Sequence, residues 1–137
     1  MPHPANSPYA LFADDDFLVR MDAETIMEDA GFHALSAATG VEAIKLFEDH
    51  ADLVVMLFTD VEMPGGPDGF ELARTTAKRW PDISIVVASA GVKPGVGDLP
   101  EGAVFLGKPF SAQLVHDHLD MILPDGRKPE PLKARKR

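Results

Sequence analysis

A single α/β domain, with helices flanking a five-stranded parallel sheet, is the fold class predicted by three features of this 137-residue sequence. Apolar runs alternate with amphipathic stretches at a regular pace, the pattern of strands alternating with helices. Two of the runs, Leu53 to Thr59 and Ile83 to Ala88, show no period-two alternation, as expected of central parallel strands covered on both faces. The third feature is size: 137 residues that are 45% hydrophobic suffice for one core and fall short of two.

The elements follow in order. Strands are expected at Tyr9 to Ala13, His33 to Ala37, Leu53 to Thr59, Ile83 to Ala88 and Ala103 to Leu106, the third and fourth being the most buried. The first helix is marked by Val19, Ala23, Ile26 and Ala30 at helical spacing, with Asp22, Glu24, Glu28 and Asp29 on the other face. Thr39 with Glu42 forms a capping box ahead of Val41, Ile44 and Phe47. Asp68 caps a third helix whose inner face is Phe70, Ala73, Ala77 and Trp80. A last helix begins near Ser111, turns Val115, Leu119 and Ile122 inward, and stops at Pro124. Between the fourth and fifth strands, Gly91 to Gly102 holds four Gly and two Pro in twelve residues, so the fourth helix is expected to be short or missing. The division expected is an N-terminal extension over 1–8, one domain over 9–123, and a basic, flexible tail over 124–137.

Charge narrows the function. The net charge of −9 is divided unevenly: the tail holds six Lys/Arg and two Asp/Glu, leaving seven basic and twenty acidic residues before it. A body near −13 repels nucleic acid and anionic lipid, so no nucleic acid is expected to bind the folded domain. With no cysteine, disulfides, thiolate metal sites and cysteine nucleophiles are excluded. The N-terminus has no signal-peptide pattern and no apolar run is long enough to span a bilayer, so a soluble cytoplasmic protein is expected, with no membrane contact.

In an open parallel sheet, ligands gather at the carboxyl ends of the strands. Asp14, Asp15 and Asp16 follow the first strand, Asp60 the third, Ser89 the fourth and Lys108 the fifth. Carboxylates brought together there repel by roughly 4 kcal/mol per unit-charge pair about 4 Å apart at an effective dielectric of about 20. A hard divalent cation such as Mg²⁺ offsets that cost, Lys108 adds fixed positive charge, and Ser89 offers a hydroxyl donor.

The segments ADDDFLVR (13–20), FTDVEMPGGPDGFELA (58–73), VVASAG (86–91) and FLGKPF (105–110) together resemble the receiver domains of two-component response regulators, in order and spacing, over about Tyr9 to Leu123. The resemblance implies a flavodoxin-like, doubly wound sheet of order 2-1-3-4-5. It implies Asp60 as phosphoacceptor, with Mg²⁺ (or Mn²⁺) held directly by Asp15, Asp60 and the Glu62 backbone carbonyl and through water by Asp14. Ser89 then corresponds to the switch hydroxyl, Lys108 to the phosphoryl-pairing lysine, and Phe105 to the rotamer-switching aromatic. Implied too are self-catalysed phosphorylation and dephosphorylation rather than an enzyme's turnover, and a sensor histidine kinase or histidine phosphotransfer protein as donor. With only fourteen residues after the last helix, a stand-alone receiver is expected, acting as a monomer or weak homodimer on a downstream protein.

Simpler roles compete. Acids after a strand often cap helices, a role assigned to Asp16 alone. His116 and His118 lie two apart on a helix and do not converge on a metal. Three other functions compete: a receiver that only docks partners, a flavodoxin-like cofactor module, which needs a Ser/Thr/Gly phosphate loop where Asp14, Asp15 and Asp16 stand, and a haloacid-dehalogenase-like phosphatase, which needs a second Asp where Glu62 stands.

Overall fold

The computed structural model describes residues 8–63, 65–108, 113 and 115–117. Eight elements alternate along the chain: β1 (Tyr9–Ala13), α1 (Phe17–Asp29), β2 (His33–Ala37), α2 (Gly40–His50), β3 (Val54–Asp60), α3 (Gly69–Arg79), β4 (Ser84–Ser89) and β5 (Val104–Gly107). The strands form one parallel sheet in the order β2-β1-β3-β4-β5, so the predicted topology is the observed one. Gln113 and Val115–Asp117 are helical and belong to the expected last helix. The rest of that helix, and almost all of the expected N-terminal extension and tail, lie outside the described residues.

The sheet separates two apolar layers. On one face Phe12, Met27, Phe32, Met56 and Phe58 pack with α1 and Val115; on the other Leu11, Phe47, Leu57, Leu72 and Val87 pack with α2 and α3. Full burial of each such side chain stabilises by about 1.5–3 kcal/mol. Every residue of β3 is buried, in keeping with its unbroken apolar character. Phe12 and Phe58 add a stacked pair across the β1–β3 ladder, 4.9 Å between ring centroids.

Caps set the helix starts. Asp16 accepts hydrogen bonds from the N–H groups of Leu18 (2.9 Å) and Val19 (3.2 Å), and Asp68 accepts from Glu71 N (2.9 Å). Thr39 Oγ1 accepts from Glu42 N, while the Glu42 carboxylate reaches one residue further back than in a standard capping box, to Ala38 N.

Three strands begin and end one residue later than the sequence pattern suggests. The expected first residues are tied into the preceding turns, with Leu53 N donating to His50 O, Ile83 N to Trp80 O and Ala103 N to Pro100 O. At the other end the ladder continues into polar residues, pairing Asp60 with Ala88 and Ser89 with Gly107. Trp80 ends α3 as its C-cap and packs on the α2–α3 side of the core, its indole stacked 5.1 Å from Phe47 and covered by the Arg79 guanidinium.

From Ala90 to Ala103 the chain makes turns and bends but no helix, so the fourth helix is missing. Arg74 of α3 holds this crossover by donating to the Asp98 carbonyl at 2.9 Å, and Leu99 packs against the α3 side of the core.

Candidate functional site

The strand ends bring Asp14, Asp60, Ser89 and Lys108 to one pole of the sheet. Asp14 lies just past β1, where its N–H donates to Ala37 O at 3.0 Å. Its side chain is 2% exposed and its carboxylate is engaged at both oxygens: Oδ1 accepts from Asp16 N (2.9 Å) and Oδ2 from Lys108 Nζ (3.1 Å). Lys108 Nζ also lies 3.0 Å from Asp60 Oδ1, so one ammonium bridges two buried carboxylates. The lysine is itself placed by its backbone, whose N–H donates to Ser89 O at 2.9 Å.

Electrostatics follow from this geometry. Burial pushes the Asp60 carboxyl above the ordinary aspartate range; the Lys108 hydrogen bond and charge oppose the rise, the Asp14 charge adds to it, and the Val61 N–H opposes it. For Lys108, burial favours the neutral amine, but hydrogen bonds to Asp60 and Asp14 and their charges outweigh it and raise the ammonium above the ordinary lysine range.

Asp15 is exposed, and Asp14, Asp15 and Asp60 each offer an oxygen within 4.8 Å of the others. An all-oxygen set with more negative charge than Lys108 can balance suits a small hard divalent cation. Asp14, with both oxygens already engaged, fits contact through water, whereas Asp15 is open to direct ligation. Glu62 is exposed and shares with Asp15, Met63, Phe70 and Val92 a groove of about 570 Å³ beside Asp60.

Ser89 is buried, and its Oγ accepts from Gly91 N (3.3 Å) and Val92 N (3.0 Å), which ties the start of the helix-free crossover to the site. Phe105 is not brought into the acidic cluster. It lies on β5 opposite Val87, half-buried on the α3 side of the core. His116 is half-buried with Nε2 2.9 Å from Ile26 O, and His118 lies outside the described residues.

Two residues that shape the site were not singled out from sequence. Arg20 Nη1 donates to the Asp14 carbonyl at 2.8 Å and so holds the β1–α1 turn. The available signal was an arginine one turn into a helix that follows an acidic run. Gly69 donates its N–H to Val61 O at 2.8 Å, and a Cβ there would strike the Asp60 carbonyl oxygen and come within 2.7 Å of the Asp60 carbonyl carbon and Val61 Cα. Asp68 signalled the cap, while the need for glycine at the next position comes from this close approach.

Comparison with known proteins agrees with this reading. Relatives include the sensor kinase CckA of Brucella abortus, 34% identical over 110 residues, covering 78% of this chain and 12% of that protein. The transcriptional regulatory protein PdtaR of Mycobacterium tuberculosis is 36% identical over 110 residues, covering 74% of this chain and 49% of that protein. The chain therefore spans half or less of the length of these relatives. Among solved structures, a response regulator receiver protein from Sinorhizobium medicae superposes with a TM-score of 0.78 at 25% identity, covering 94% of this chain and 97% of the other. The receiver domain of the hybrid histidine kinase CckA gives 0.73 at 27% identity, covering 85% and 99%. The haloacid-dehalogenase alternative is thereby set aside. The family model described as the response regulator receiver domain matches residues 10–120, and with the order of the sheet and the acids at its strand ends it shows that the chain belongs to the receiver domains of two-component systems.

Proposed function

We propose that the domain is a phosphoacceptor switch, taking a phosphoryl group onto Asp60 from a phosphohistidine of a sensor kinase or phosphotransfer protein. The observation that carries this reading is the bridge of Lys108 between Asp60 and Asp14 with Asp15 alongside: a carboxylate nucleophile, a fixed cation and an oxygen set for a metal within one cluster. An Asp60 carboxylate oxygen forms a bond to phosphorus as the phosphorus–nitrogen bond of the donor breaks. The electron pair stays on the departing imidazole nitrogen. Lys108, released from Asp60, pairs with the phosphoryl oxygens. Bound Mg²⁺, held by Asp15, Asp60 and the Glu62 carbonyl and through water by Asp14, would supply charge neutralisation of the transferring group. The Ser89 hydroxyl turns to the phosphoryl group and gives up the N–H groups of Gly91 and Val92, so the crossover is where the new state is displayed. Phe105 would follow by turning inward.

The domain catalyses formation and hydrolysis of its own acyl phosphate and acts on no separate substrate. Kinship with a sensor kinase and with transcriptional regulators supports placing it in such a relay. Phe17, Leu18 and Met21, exposed on the first turns of α1 next to Asp15, provide an apolar surface on which a donor can seat. Among the described residues no helix is long and apolar enough to cross a membrane, which is compatible with the proposed work in the cytoplasm.

The test is incubation with Mg²⁺ and a small acyl-phosphate donor, followed by mass mapping. Asp60 should carry the added mass, and Asp60→Asn should carry none. An unmodified wild-type chain would leave the phosphorylation-independent docking module as the function.

A further inference from the structure

At the pole where the strands begin, opposite the carboxylate cluster, two adjoining grooves share Ala51 and Asp52. One, about 300 Å³, is lined by the apolar Val54, Trp80, Pro81 and Ile83. The other, about 350 Å³, is walled by Glu48, Asp49 and the half-exposed Leu53. Arg79 neutralises Glu48 (2.9 Å), but Asp49, Asp52 and Asp82 form no ion pair among the described residues. Glu48 and Asp49 also stand in the last turn of α2, where backbone carbonyls already concentrate negative potential.

An apolar floor under a rim whose acids outnumber its one lining arginine, Arg79, fits a segment that presents cations around an apolar side chain. The chain carries one. Pro124 to Arg137 has six Lys/Arg against two Asp/Glu, with Leu132 in their midst. Its approach passes under the strand starts, since Val115 packs on the α1 face of the sheet and Val54, Trp80 and Ile83 on the α2–α3 face. His116 lies 2.9 Å from the Ile26 carbonyl near the end of α1, so the helical residues up to Asp117 lead toward the groove's pole. The fourteen residues from Pro124 to Arg137 can span up to about 46 Å at roughly 3.3 Å each, more than the width of a domain of this size. We propose that the basic segment Pro124–Arg137 docks in this groove of its own domain, at the pole opposite Asp60.

Trp80, the single tryptophan, lines the groove and reports on it. The experiment uses the full chain in three variants: the tail reversed (Lys133→Glu, Arg135→Glu, Lys136→Glu), the groove reversed (Asp49→Lys, Asp52→Lys, Asp82→Lys), and the two combined. Each single reversal should red-shift Trp80 emission and increase its quenching by acrylamide, and the combination should restore both. High salt should reproduce the tail reversal in the wild type, since exposed charges are screened within about 3 Å at 1 M. Unchanged Trp80 emission and quenching after tail reversal would overturn the proposal, as would failure of the combination to restore them. A response that depends on protein concentration would overturn it too, by assigning the groove to the tail of a second copy.

Discussion

Replacing Lys108 by Met isolates the ion bridge. Lys108 Nζ is 3.1 Å from Asp14 Oδ2 and 3.0 Å from Asp60 Oδ1, and these residues are 1% and 9% exposed. Removing the cation leaves two carboxylates facing each other without compensation. Breaking a buried pair in this way costs about 3–5 kcal/mol, and because the lysine side chain is 22% exposed, solvent screening places the expected loss near the lower figure, about 3 kcal/mol at neutral pH without metal. The pH dependence follows from Asp60. Its folded pKa is raised, so its protonated form favours folding, and ionisation weighs against the folded state as pH rises through that pKa. Without Lys108 the carboxyl rises further, so the variant recovers stability on acidification sooner than the wild type. Urea unfolding in chelator at about pH 7.5 and about pH 5 should show the difference between the two proteins narrowing at the lower pH. Mg²⁺ at about a hundred times its dissociation constant stabilises by about 2.7 kcal/mol, and the variant should need less of it, since its carboxylates no longer share a lysine. A stability loss below about 1 kcal/mol, or one equal at both pH values, would refute this account of the bridge.

Three further outcomes are expected. Gly69→Ala should destabilise by about 3 kcal/mol in urea unfolding and slow phosphoryl incorporation at Asp60, because the new Cβ overlaps the Asp60 carbonyl. Thr76→Val should raise stability by about 1 kcal/mol in thermal unfolding, since the Thr76 hydroxyl is fully buried without a hydrogen-bond partner among the described residues. A phosphoryl mimic bound with Mg²⁺ should slow amide exchange over Gly91 to Gly102, and Arg74→Ala, which removes the hold on the Asp98 carbonyl, should speed exchange there; equal protection in all three states would count against the crossover as the responding segment.

The sheet was legible because β3 and β4 are buried on both faces and their apolar runs have no competing pattern. The missing fourth helix was legible for the opposite reason, as Gly and Pro removed every alternative. Strand ends were misjudged by one residue where apolar character and hydrogen bonding part company. Leu53 is apolar yet belongs to a turn, and Asp60 is charged yet belongs to the ladder. Within the site, residue types at strand ends named Asp14, Asp15, Asp60, Ser89 and Lys108. Distances alone show that Lys108 divides itself between two acids. Arg20 and Gly69 stayed hidden because each acts on a main-chain carbonyl, a partner that has no letter in a sequence. Thr76 was hidden too, since a hydroxyl carries no mark of being buried.

The walls around Asp60 differ in how closely they are packed. On one side the start of α3 is pressed so closely on the Asp60 carbonyl that not even a methyl group can be inserted, and Gly69 N is bonded to Val61 O. On the other, a helix-free crossover rests on the Ser89 hydroxyl at one end and on Arg74 near the other. On the proposed function, a force generated at the Asp60 carboxylate would therefore be rectified: the closely packed flank would act as an anvil, and displacement would be channelled into the helix-free flank. Direction, and not only magnitude, is thus built into the response by a residue that has no side chain.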